Sequence, residues 1–424
     1  MQRDNQTTMQ EAQMVCVFDT KKIAVVLGDS PVRLWRLTSA ERLERQLQHA
    51  GIDVWHDSLE ALPADAAVVI LRADYLYDSR VIKGLAKAQQ VLLEVESGAG
   101  KVPVAAHVRA DQAGVVGELL RGRGSGNSPS GIVRVTVAQV AQGFDAALLK
   151  LDHPFVLPLS EENRGALEQL LFSGAYKGIT DLVTKWLWPV PAQWATHLCV
   201  GLRVAPNHVT ALSLVLAVLA GVLFARGEFG WGLLAGWIMT FLDTVDGKLA
   251  RVTVTSSRLG NILDHGLDLI HPPFWYLAWG IGLAANPAVA AALPLHLLYW
   301  VIFVGYIGGR LCEGAFQLWI ASFSIFTWRP VDSYFRLITA RRNPNMILLT
   351  VSLILGRPDL GLIAVAGWTA LSTAILLLRL LLAVQAKRSP GGVRSWLGEI
   401  GQTVDKRDLA VRAFTTILPD HNKA

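Results

Sequence analysis

Four aspartates, Asp243, Asp246, Asp264 and Asp268, stand inside or beside two long apolar segments. An ionised Asp at membrane depth costs about 2.5–3.5 kcal/mol, so carboxylates placed there mark function. Crowded together they would repel one another and raise their own pKa values, whereas a bound hard cation reverses that effect. Their spacing supplies a geometry. Asp243 and Asp246 are three residues apart and share one helix face, and Asp264 and Asp268, four apart, share another. Two such faces turned toward each other make an oxygen-rich cage suited to Mg2+ or Mn2+.

The surroundings divide the chain in two. Residues up to about 175 are mixed and charged like a soluble domain, while 206–385 are dominated by apolar runs, which lifts the mean hydropathy to +0.37. About six spanning helices are expected, near Val209–Arg226, Trp231–Ala250, Asn261–Leu283, Ala288–Gly309, Met346–Gly356 with its flanks, and Leu360–Val384. Each approaches the roughly 20 residues that cross a bilayer except the fifth, which is short. If residue 206 begins in the cytoplasm, Lys248, Arg251, Arg258, Arg310, Arg329, Arg336, Arg341, Arg342, Lys387, Arg388 and Arg394 fall on that side. Only Arg226 and Arg357 fall opposite. That asymmetry puts the Asp cluster near the cytoplasmic face. The net charge of +5 fits loop anchoring better than nucleic-acid binding. Cys16, Cys199 and Cys312 have neither disulfide nor metal spacing. The polar start, Met1 to Gln13, lacks the apolar core of a cleavable signal peptide.

The pattern D-x2-D-G-x2-A-R-x8-G-x3-D-x3-D is met without a gap by Asp243, Asp246, Gly247, Ala250, Arg251, Gly260, Asp264 and Asp268. It resembles the signature of the CDP-alcohol phosphotransferases, integral membrane enzymes. The resemblance implies a CDP-alcohol donor, a hydroxyl acceptor (a lipid or a polyol phosphate) and release of CMP. It implies two Mg2+ or Mn2+ ions held by Asp243, Asp246 and Asp264, with Asp268 as the base and a shared ligand. It also implies a homodimer among membrane lipids. Gly247, Ala250 and Gly260 lack bulk, which admits either a nucleotide or close helix packing. Arg251 pairs with a diphosphate or with one of the aspartates. Pro206-Asn207-His208-Val209-Thr210 resembles the P-N-x-x-T start of the family's first span, leaving Asn207 as a helix cap or a nucleotide ligand. Two readings outside the family stay open: a magnesium-dependent prenyl-diphosphate transferase and a non-catalytic transport or lipid-binding protein.

The segment Arg329–Asn345 carries four arginines. They serve either to anchor the topology on anionic lipid or to bind the phosphate of an acceptor, for which Arg310, Arg336 and Arg341 are the candidates. Thr184–Trp194, rich in Trp and broken by two prolines, reads as an interfacial segment. The expected division is therefore 1–165 cytosolic, 166–205 juxtamembrane, 206–388 transmembrane and 389–424 a cytosolic tail.

In the amino-terminal part, Lys22–Leu27, Ala67–Leu71 and Ile132–Val137 read as strands, and Ser39–Ala50, Ser79–Gln89 and Glu161–Phe172 as helices. Such alternation predicts a soluble α/β domain with a largely parallel sheet. The stretch A-V-V-L-G-D-S-P-V-R-L-W-R-L-T at 24–38 and R-A-D-Y-L-Y-D at 72–78 resemble sugar-phosphate nucleotidyltransferases. The resemblance is eroded, because the phosphate loop is cut to Gly28-Asp29-Ser30-Pro31 and Ala40-Glu41 replaces Pro-Lys. A structural or regulatory domain is the expectation, with Asp74 as a remnant of a metal ligand.

Overall fold

The computed structural model describes residues 22–415 except 57, 61, 99, 124–128, 147, 257, 390–391 and 401–407; the side chains of 258–265, 267 and 268 also lie outside the described residues. The amino-terminal part is a three-layer α/β domain. Its six-stranded sheet runs β2 (Val54–His56), β1 (Lys22–Leu27), β3 (Ala67–Arg72), β6 (Gly100–Arg109), β5 (Val91–Ser97), β7 (Val133–Val135). The short β4 (Tyr75–Tyr77) pairs outside this sheet, antiparallel to Val156–Pro158. Period-two burial explains the layering. Ala24, Val69 and Leu71 face helices α1 (Ser39–His49) and α2 (Ser79–Lys87), while Ile23, Val25, Val68 and Ile70 face α3 (Ala110–Leu120). Central strands covered on both faces read as unbroken apolar runs, which is why β1 and β3 were legible.

The expected largely parallel sheet is present, but the sequence reading named only β1, β3 and β7 of its strands and missed β2, β5 and β6. β6 runs antiparallel to both β3 and β5, whereas the other three pairings are parallel. Its pattern is interrupted by Pro103 and His107. Pro103 sits where the register shifts opposite Leu93 and Glu94, a bulge that tolerates a residue without an N–H. The buried His107 imidazole bonds the Leu85 carbonyl through Nδ1 at 2.7 Å. Glu41, where the nucleotidyltransferase pattern has another residue, closes a capping box: its carboxylate accepts from Thr38 N–H at 2.8 Å and Thr38 Oγ1 accepts from Glu41 N–H at 3.2 Å.

After α4 (Arg164–Gly174) and α5 (Pro189–Gly201) the chain enters the apolar half. There α6 (Pro206–Ala225), α7 (Phe229–Val252), α8 (Arg258–Ala284), α9 (Leu295–Ala315), α10 (Pro330–Ile338), α11 (Arg342–Ile354) and α12 (Pro358–Lys387) follow. All but α10 overlap the six expected segments, the fourth of which is broken before Leu295 because Pro287–Ala292 forms a short helix of its own. Among the described residues, three are apolar enough by length and composition to cross a membrane: 206–225, 295–320 and 358–387. α11 has 13 residues and so reaches only about 20 Å. Phe224, Trp275, Trp279, Met346 and Leu362 form the bundle core. Its indole N–H groups are satisfied, Trp275 donating to Ala217 O at 2.8 Å and Trp279 to Pro358 O at 3.0 Å. Large apolar side chains such as Val215, Val218 and Leu381 point outward, as lipid-facing residues do. The chain is an integral membrane protein.

The α/β domain docks on the carboxyl end of α7. Trp35 and Arg36, both in the left-handed region (φ 50° and 64°), form the docking turn. The Trp35 ring stacks on His197 at 4.1 Å, and Arg36 donates to Gly201 O at 2.9 Å. Arg42 and Arg45 donate to Val252 O and Thr253 O, each at 2.7 Å, capping the negative end of the helix dipole. Arg42 is fully buried and also reaches Leu34 O. Its replacement strands the buried Val252 carbonyl, while Leu34 O keeps its bond from Leu37 N–H at 3.0 Å, so Arg42→Ala should lower stability by about 2 kcal/mol, and the half-exposed Arg45→Ala by less than half of that. Thermal unfolding in detergent measures both; equal effects would show that burial does not set the strength of this clamp.

Candidate functional site

A polar cavity of about 400 Å3 opens between α7, α8, α9, α11 and the segment before α5. Seven of its lining residues are Lys or Arg and two, Asp181 and Asp243, are carboxylates. The sequence motif enters it from α7. Asp243 accepts a hydrogen bond from Arg342 Nη2 at 2.6 Å, which ties α7 to the first residue of α11. One turn on, Asp246 is buried and its Oδ2 accepts from the Thr210 hydroxyl at 2.6 Å. Gly247 lines the cavity, and a Cβ there would meet only the Arg251 guanidinium, at 3.3 Å. Arg251 donates to Gly247 O at 3.1 Å and to Ala175 O at 3.3 Å. Lys248, buried beside it, stands 3.9 Å over the Tyr176 ring.

The structure brings together most of the expected residues. Asp243, Gly247, Arg251, Arg310, Arg336 and Arg341 share the cavity wall. Asp246 lies just behind it, held by Thr210. Ala250 is half-buried on α7 and does not line the cavity, and Asn207 is exposed in the first turn of α6 and does not reach it. Gly260, Asp264 and Asp268 belong to α8, but their side chains lie outside the described residues; Leu269 and Pro272 of that helix do line the cavity.

The basic wall is built by ion pairs. Glu313 of α9 bonds Arg341 and lies 3.5 Å from Arg310. Helix α10 is locked by Asp332, whose two oxygens accept from Arg379 of α12 at 2.6 and 2.8 Å, and it carries the half-buried Arg336. Burial pushes the Arg336 pKa down to about 9 despite Asp181 and Glu313 nearby. Its Nη1 has no hydrogen-bond partner among the described residues. A guanidinium held dry with an unused donor is a receptor for an anion.

Sequence reasoning missed Asp181. It accepts from Val183 N–H, Thr184 N–H, Thr184 Oγ1 and Asn343 Nδ2 at 2.8–3.1 Å, stitching the juxtamembrane segment to α11. The signal was present as D-L-V-T at 181–184, an aspartate followed three residues later by the threonine it caps. Burial opposes ionisation of Asp181, but Arg336 and the bonds from Asn343 and Thr184 outweigh it and hold the pKa below the ordinary 3.8. A depressed folded pKa means the stabilisation is complete above about 3.8 and is lost as pH falls through the lower folded value. Asp181→Asn should therefore flatten the acid limb of a melting-temperature profile in detergent. An unchanged acid limb would show that this carboxylate is not what titrates.

Residues 203–397 match the family model for CDP-alcohol phosphatidyltransferase. Through its membrane half the chain is similar to this family. Cholinephosphotransferase 1 of Danio rerio is 30% identical over 164 residues, covering 36% of this chain and 39% of that protein. The bifunctional IPC transferase and DIPP synthase of Rubrobacter xylanophilus is 29% identical over 177 residues, 42% of this chain and 36% of that one. Phosphatidylinositol phosphate synthase of Streptomyces avermitilis is 42% identical over 69 residues, 16% and 28% of the two chains. The chain thus spans well under half the length of these curated relatives. Members of the CDP-alcohol phosphatidyltransferase family generally use divalent metal ions. Among the described residues no group of three His, Cys, Asp or Glu stands ready for one. Asp243 and Asp246 supply two hard oxygen donors one turn apart, which fits such an ion in kind.

Proposed function

We propose that this chain is a membrane CDP-alcohol phosphotransferase, transferring a substituted phosphate from a CDP-alcohol, either CDP-diacylglycerol or a CDP-polyol, to an acceptor hydroxyl. The observation that carries the reading is the meeting of Asp243 and Gly247 with a wall of arginines in one cavity large enough for small polar substrates. Asp243, Asp246, Asp264 and Asp268 are the proposed holders of two ions, Mg2+ or Mn2+, which would neutralise charge on the diphosphate. Gly247, Ala250, Arg251, Gly260 and Asn207 are assigned to the nucleotide. In the step itself the acceptor oxygen attacks the phosphorus that bears the alcohol, and the bond from that phosphorus to CMP breaks. Asp268 takes the hydroxyl proton and CMP leaves.

The acceptor side is assigned to Arg310, Arg336 and Arg341, which favours an acceptor that itself carries phosphate. The excess of Lys and Arg on one set of loops supports a cytoplasmic cavity and amino-terminal domain. A homodimer follows from the family resemblance alone. The amino-terminal domain is assigned a structural role. Its Asp74 is bonded to Arg72 at 2.6 and 3.0 Å, and the turn after its shortened loop is engaged in docking.

The purified chain should release CMP from a CDP-alcohol when Mg2+ or Mn2+ and a suitable acceptor are present, and Asp268→Asn should abolish it. Ligand binding without CMP formation by the unaltered chain would sink the reading. Arg336→Ala should raise the KM for a phosphate-bearing acceptor about tenfold or more with a smaller effect on kcat, since it removes a charge-assisted contact. An unchanged KM across a panel of phosphorylated and neutral acceptors would remove Arg336 from that role.

A further inference from the structure

A second cavity, of about 310 Å3, lies beside the first and shares Lys177 with it. Its walls come from Lys150, α4, the turn Tyr176-Lys177-Gly178, the turn holding Lys185, the start of α5, and Phe414 near the carboxyl end. Three lining residues are lysines, and among the described residues no carboxylate lines it. Lys150 is already neutralised by Asp152. Lys185 is in a different state. Its ammonium donates to the Gly178 carbonyl at 2.9 Å and stands 5.1 Å from the centre of the Phe414 ring, both uncharged partners. No carboxylate among the described residues pairs with it, and burial pushes its pKa down to about 8. Tyr176 lines the same space, and its buried hydroxyl has no hydrogen-bond partner among the described residues. An uncompensated ammonium and an unsatisfied hydroxyl on one cavity call for an anion rich in oxygen acceptors.

The rim identifies the source of that anion. Trp186, Leu187, Val190 and Trp194 are all more than half exposed, and Val190 also lines the cavity. Exposed Trp and aliphatic side chains on a segment leading into a first membrane span belong at headgroup depth. The cavity therefore opens where phospholipid phosphates lie.

We propose that this cavity binds the phosphate of an anionic phospholipid headgroup, seated against Lys185, Lys177 and the Tyr176 hydroxyl. Its volume suits a headgroup at the small end of ligand pockets. Lys177 belongs to both cavities, so a phosphate here also changes the electrostatic field in the larger one. The site does not rest on the catalytic reading.

The test uses the full chain in nanodiscs of phosphatidylcholine with or without phosphatidylglycerol, with retained lipid counted by native mass spectrometry. The unaltered chain should retain phosphatidylglycerol, and Lys185→Gln should weaken that retention about fivefold, the worth of one lysine near an anionic surface. Tyr176→Phe should weaken it too, with an unchanged melting temperature that shows the fold is intact. Arg226→Gln, at the far end of α6, should leave it unchanged. Equal retention by the chain and both cavity variants would overturn the site. If inorganic phosphate in plain phosphatidylcholine discs raises the melting temperature as much as phosphatidylglycerol does, the lipid assignment fails.

Discussion

The bond between Asp243 and Arg342 joins the helix that carries the aspartate motif to the short helix behind the basic loop. Without such a tie, α7 would present a carboxylate at the end of an apolar bundle with nothing to offset its desolvation. Coulomb attraction is strong at a site of low effective dielectric, so a pair at 2.6 Å holds two helices in register. The remaining charges follow from it. Arg341 lies one residue before Arg342, Glu313 compensates Arg341 and Arg310, and Asp181 compensates Arg336. Even so the lining stays rich in cations.

The soluble part serves this arrangement from below. Trp35, Arg36, Arg42 and Arg45 grip the carboxyl end of α7 and the helices beside it, while Asp181 pins the juxtamembrane segment to α11. Four of the cavity's lining residues, Lys177, Thr180, Asp181 and Thr184, come from that segment, outside residues 203–397. The same segment separates the larger cavity from the smaller one, with Lys177 common to both. The residues between the soluble and membrane halves are therefore part of the site's wall.

Periodicity revealed what local chemistry controls. β1, β3 and the helices α1 and α2 could be read because their apolar residues recur at the spacing of the face they bury. β6 could not, since Pro103 and His107 break the pattern and only pairing with β3 and β5 makes it a strand. In the membrane half the apolar runs fall on six helices, of which three among the described residues have the length and composition of a span. Ala250 and Asn207 show the limit of motif reading. They match the family pattern, yet neither lines the cavity, because helix rotation and chain path decide which matched residue reaches it.

The sequence by itself determined the two-part organisation, the carboxylate spacing on α7 and the presence of a basic loop, since each is a property of residues near in the chain. Only the tertiary structure decided that Arg310, Arg336 and Arg341 stand on the same cavity as Asp243, and that Asp181 joins them. Those residues are separated by up to 160 positions, counted from Asp181 to Arg341. Contacts at that distance form when burial leaves a charge no solvent and the fold must supply its partner.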